Sequence, residues 1–80
     1  MSERRKYWLD GTLKKIVHYR DGKRNGPFER YENDREYHGQ FKDDYREGKW
    51  LIYNKRSGIL IEEQVYRKSV MVELISHKTK

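Results

Sequence analysis

The sequence predicts an all-β protein, an antiparallel meander of about six strands, and three observations carry that reading. Arms such as Leu13 to Tyr19 are rich in β-branched and aromatic residues, which suit a pleated, half-buried surface better than a helix. Between the arms stand turn formers. Asp21-Gly22 tolerates positive φ, and Asn25-Gly26-Pro27 adds a second such position followed by a fixed φ that starts the return arm. The pattern also recurs: YRDGKRNGPFERY, residues 19–31, aligns without gaps on FKDDYREGKWLIY, residues 41–53, at a shift of 22 residues. A period of this length marks a repeat architecture and changes the meaning of every residue inside it.

Length and composition limit the rest. A chain of 80 residues is one domain, spanning 1–80, and buries only about 60–65% of the surface its unfolded form exposes. Leu, Ile, Val and Phe together number 16, on the border of disorder, but two Trp, seven Tyr and two Phe supply large areas that can be buried near solvent. There is no cysteine, so neither a disulfide framework nor a Cys-based zinc site is available. The basic amino terminus, MSERRKYW, lacks the apolar core of a signal peptide, and no run is long enough to cross a bilayer; a cytoplasmic protein is expected. The formal net charge of +6 favours an acidic partner, yet 40% charged residues of both signs, interleaved, read mainly as a solvated face.

In chain order, strands are expected near 12–19, 27–32, 36–41, 49–54, 59–66 and 70–75. They form repeats of approximately 7–30, 31–52 and 53–75. The arms repeat as Gly11-x-Leu13 running to Tyr19 and Gly58-x-Leu60 running to Tyr66, whereas the middle arm, from Tyr31 to Phe41, is shorter and needs a tighter loop. Residues 59–67 are compatible with a helix through Leu60, Glu62, Glu63 and Gln64, but β-branched Ile59, Ile61 and Val65 favour a strand. The last unit carries Ser69 and Glu73 where the earlier ones carry glycine, as a terminal capping repeat does. Sequential strands joined by short turns pair with their neighbours, giving one twisted sheet.

The pattern Gly-x-Leu-x5-Tyr-x-x-Gly-x3-Gly-x-Phe/Trp-x-x-Tyr resembles the MORN repeat, in particular the bacterial variant of toxin–antitoxin-associated repeat proteins. The resemblance covers residues 7 to 66. Gly11, Leu13, Tyr19, Gly22, Gly26, Phe28 and Tyr31 match in the first copy; Phe41, Gly48, Trp50 and Tyr53 match in the second, with Asp44 at the turn glycine; Gly58, Leu60 and Tyr66 match in the third. It implies β-hairpin units stacked into an elongated sheet that serves as a binding or scaffolding surface. Some members are associated with anionic phospholipids and others bind proteins.

No catalytic constellation stands out. His18, His38 and His77 are scattered, and the acidic turn Asp43, Asp44, Glu47 lacks the spacing of a calcium loop. Gly22 and Gly26 bracket Lys23 and Arg24, but this loop leads into a strand rather than the helix amino terminus a phosphate loop requires. Neither enzyme activity nor a cofactor or metal is therefore expected. The leading expectation is a protein-interaction module, an antitoxin-like or inhibitor-like binder that occludes a partner protein. Its anchors would be Phe28, Tyr31, Trp50 and Tyr53, rings that equally suit hairpin-to-hairpin packing. The alternative is an adaptor for nucleic acid or anionic lipid through a basic, aromatic face of Arg4, Arg5, Lys14, Lys15, Lys23 and Arg24. A homodimer contact is expected at Ile59, Ile61, Val70, Val72 and Leu74, because the last two arms are apolar on both sides and close a meander whose edge would otherwise be open.

Overall fold

A computed structural model describes residues 2–77 as one antiparallel sheet measuring 44 × 36 × 13 Å. The thickness is that of a single layer, so the sheet has two solvent-facing sides rather than a packed second sheet. The strands are β1 (Ser2–Tyr7), β2 (Leu13–Arg20), β3 (Lys23–Tyr31), β4 (Arg35–Lys42), β5 (Tyr45–Arg46), β6 (Gly48–Asn54), β7 (Leu60–Arg67) and β8 (Val70–Ser76). They lie in the order β1-β2-β3-β4-β6-β7-β8, with the short β5 on β4. The expected meander is present. Two strands exceed the expected six: the amino-terminal SERRKY, a strand despite its charge because it is an edge that pairs only with β2, and the two-residue β5. Among the described residues no helix is long and apolar enough to cross a membrane.

Three hairpins turn on two residues that both have positive φ: Asp21-Gly22, Asp43-Asp44 and Lys68-Ser69. That is the geometry whose twist matches flanking strands. The second and third achieve it without glycine. Each tip is tied to the preceding hairpin, Asp44 N–H to Arg24 O and Ser69 N–H to Arg46 O, both at 2.9 Å. The side chains complete the tie, since Arg24 N–H donates to Asp44 Oδ1 at 2.7 Å and Arg46 N–H to Ser69 Oγ at 2.9 Å.

Antiparallel partners point to the same side, so the register sorts residues between faces. One face carries Val17, Phe28, Gly39, Phe41, Trp50, Ile52, Gln64 and Tyr66; the other carries Ile16, Glu29, His38, Leu51 and Glu63. The core lies on the first. Phe41, Trp50 and Tyr66 are buried with Phe28 against them, Trp50 being only 5% exposed. Single-residue bulges interrupt this alternation at Lys14, Ile61 and Val72. With the last two bulges, the carboxy-terminal strands carry apolar side chains on both faces, as expected. Leu60 pairs with Tyr53 and so shares a face with Val65, while Met71 and Leu74 sit on the aromatic face and Val70 and Ile75 on the other. β8 pairs with β7 along the sheet edge and does not curl back over it.

Candidate binding surfaces

The aromatic face is built by a ring at equivalent points of successive hairpins, each covered by an arginine. Arg4 lies 5.4 Å from the Tyr19 ring centre, Arg24 4.3 Å from Phe41, and Arg46 5.4 Å from Tyr66 and 4.9 Å from Trp50. A planar guanidinium both stacks on a ring and shields it from water, which is how a one-layer sheet buries aromatics. Arg24 is fixed further by Asp44, through Nε to Oδ1 at 3.2 Å and Nη2 to the backbone oxygen at 2.9 Å. The Asp44 carboxyl is held below the usual range by the Arg24 backbone N–H first and by its side chain next. Beneath this roof Trp50 lies across Gly39, where a Cβ would come within 2.1 Å of the ring.

The four rings singled out from the sequence split between the faces. Phe28 and Trp50 pack together, centres 5.3 Å apart, as part of the core. Tyr31 and Tyr53 are on the other side, where they bracket His38 edge-on at 6.0 and 5.6 Å. They do not form one patch. Trp50 as placed is covered and holds hairpins together. The Tyr31 hydroxyl donates to Glu29, and burial first, then that bond, pushes its phenol up to about 12.

The six basic residues are likewise divided. Arg4, Lys15 and Arg24 are on the aromatic face; Arg5, paired with Ile16 and bonded to Glu3, and Lys23, paired with Arg20, are on the opposite one. Lys14 falls in the bulge and sits 4.6 Å over the Trp8 ring, whose Nε1 donates to Tyr31 O at 3.0 Å. Lys6 and Arg30 were not among the candidates, yet the register sets Lys6 opposite Lys15 and Lys15 opposite Arg30. Burial first, then Lys6, Arg30, Lys14 and Arg24, push the Lys15 ammonium pKa down. Beside Arg30 an open depression of about 320 Å³ is lined by Phe28, Tyr37, Arg46, Trp50 and Gln64 among others.

The third surface is the free edge of β8. Val70, Met71, Val72, Leu74 and Ile75 are all exposed, from 62% at Val70 to 39% at Ile75. Of the other residues expected at a dimer contact, Ile59 is exposed just before β7 and Ile61 is half-buried in its bulge.

No protein-family model, no curated protein and no solved structure matches this chain.

Proposed function

We propose that the chain is a non-catalytic protein-interaction module of MORN-like hairpin repeats, which binds through the edge of β8 and takes a second copy of itself as its first partner. Such a module acts by occupying a surface, as an inhibitor or antitoxin does. The observation that carries the reading is the contrast between the two sheet edges. β1 presents Glu3, Arg4, Arg5 and Lys6, the charged guard that keeps strand edges from pairing. β8 presents five apolar side chains and one charge, Glu73. An unguarded apolar edge of this kind is a template for strand addition. The apolar side chains lie on both faces, so a two-fold antiparallel pairing of β8 with β8 continues the sheet and sets like beside like. Pairing with β1 of another copy would set a charged strand against an apolar one.

Sedimentation velocity at micromolar concentration tests this on the wild type and on Leu74→Lys. A dimeric wild type and a monomeric, folded Leu74→Lys protein are expected. A monomeric wild type would exclude the second copy as the occupant.

A further inference from the structure

Three cations stand in one row on the aromatic face. Lys6 of β1, Lys15 of β2 and Arg30 of β3 are direct cross-strand neighbours, and the row continues into Tyr37, Ile52, Glu62 and Ser76. Arg4 is two residues from Lys6 on the same side. Strand spacing puts the stems of the row about 4.8 Å apart, and Arg4 about 7 Å along β1, so the four stems cover roughly 10 by 7 Å. Like charges directly opposite one another on adjacent strands oppose folding. Relief within the patch reaches Arg30 alone. The strand residues of β1, β2 and β3 on this face include no carboxylate, Glu3 and Glu29 being on the other side, and among the described residues Lys6 and Lys15 form no salt bridge. Arg30 meets Glu32 through one terminal nitrogen at 3.1 Å, while its buried Nε has no hydrogen-bond partner.

A fold that retains Lys6 and Lys15 side by side on adjacent strands with no carboxylate partner trades stability for a ligand. We propose that Lys6, Lys15 and Arg30, with Arg4, form a binding site for a compact oligophosphate, an anion carrying two or more phosphate groups. A multivalent anion matches several cations spread over this area, and phosphate oxygens accept from ammonium and guanidinium donors together. The nearest rings and apolar groups distinguish this ligand from larger polyanions. Among the side chains between these cations Val17 is buried, Phe28 packs into the core and Tyr19 lies under Arg4, while half-buried Tyr37 beside Arg30 is bonded to Glu32; the exposed Trp8 and Leu9 lie in the β1–β2 turn, outside the row. The site is independent of the β8 edge at the far side of the sheet.

Isothermal titration with inorganic tripolyphosphate at fixed ionic strength tests the proposal, with orthophosphate, a twelve-residue oligothymidylate and vesicles containing anionic lipid as comparisons. Saturable one-to-one binding of tripolyphosphate is expected, weakened about tenfold or more in Lys15→Gln, the loss of one charge-assisted contact. Lys49→Gln, on the opposite face, should bind as the wild type does. Without ligand, Lys15→Gln should melt at or above the wild-type temperature, because it removes repulsion; this separates loss of the site from loss of the fold. Equal affinity in Lys15→Gln, or a heat no different from that of orthophosphate, would overturn the site. Tighter binding of the oligothymidylate or the vesicles, abolished by Lys15→Gln, would overturn the compact ligand and assign the patch to that polymer or surface instead.

Discussion

The carboxylate of Asp44 accepts the backbone N–H of Arg24 at 2.7 Å while the Arg24 side chain returns to Asp44, so the tip of one hairpin is clamped to the return strand of the one before. Asp44 holds this position at a φ of 71°, which Asn and Asp tolerate better than most residues. Asp44→Asn should therefore melt near the wild type at neutral pH. Asp44→Gly keeps the backbone but loses the clamp, and Asp44→Ala loses both. Thermal melts should rank them Asn, Gly, Ala in falling stability. The clamp also sets a pH dependence. The Asp44 pKa is depressed in the folded state, so its contribution is present above the ordinary carboxylate range and is lost as pH falls through the lowered value. The advantage of wild type over Asp44→Gly should shrink on acidification in that window.

Gly39 is needed for closeness rather than for backbone freedom. Trp50 occupies the space of its missing side chain and is packed among Phe28, Phe41 and Tyr66. Gly39→Ala should cost about 3 kcal/mol by overpacking and shift the Trp fluorescence toward that of an exposed indole. Gly26 differs, with a φ of 107° and only His18 nearby. Gly26→Val should cost more than about 1 kcal/mol through strain. Urea denaturation of both variants checks these values.

Tyr31 governs behaviour at high pH. Its phenol titrates near about 12 when folded, against about 10 when unfolded, so its contribution is complete below pH ~10 and is lost as pH rises through that interval. The stability difference between wild type and Tyr31→Phe should fall across pH 10 to 12 in denaturant titrations. A difference independent of pH would contradict the buried, Glu29-bonded hydroxyl.

The meander and its turns were legible because local residue types dictate them: β-branched arms, Asp21-Gly22, and a repeat that carries Phe28 onto Trp50. The faces were harder to read. Counting back from the Asp21-Gly22 turn puts Lys15 opposite Phe28, but the irregularity at Asn25 to Pro27 moves it opposite Arg30, so the cationic row was hidden while Arg4 and Lys15 were visible. One-residue bulges at Ile61 and Val72 go further and turn the residues beyond them to the opposite face, which strict alternation along the strand does not show. The sequence shows Asp44 and Ser69 standing where a turn glycine is expected, but not that their side-chain oxygens grip the previous hairpin. Glu73 stands four residues after the last turn, where Gly26 and Gly48 stand after theirs. Those two glycines face the rings Phe41 and Tyr66 of the following hairpin, and the described chain has none after β8.

The edge of β8 carries the central claim, and hydrogen exchange of its amides measures it most directly. If β8 pairs with β8 of a second copy, its outward amides gain hydrogen-bond partners, and exchange across residues 70–76 should slow as protein concentration rises, while β1, the charged edge, stays fast at every concentration. Fast exchange in residues 70–76 that does not change with concentration, in a sample shown to be folded by protection of β3, β4 and β6, would contradict it.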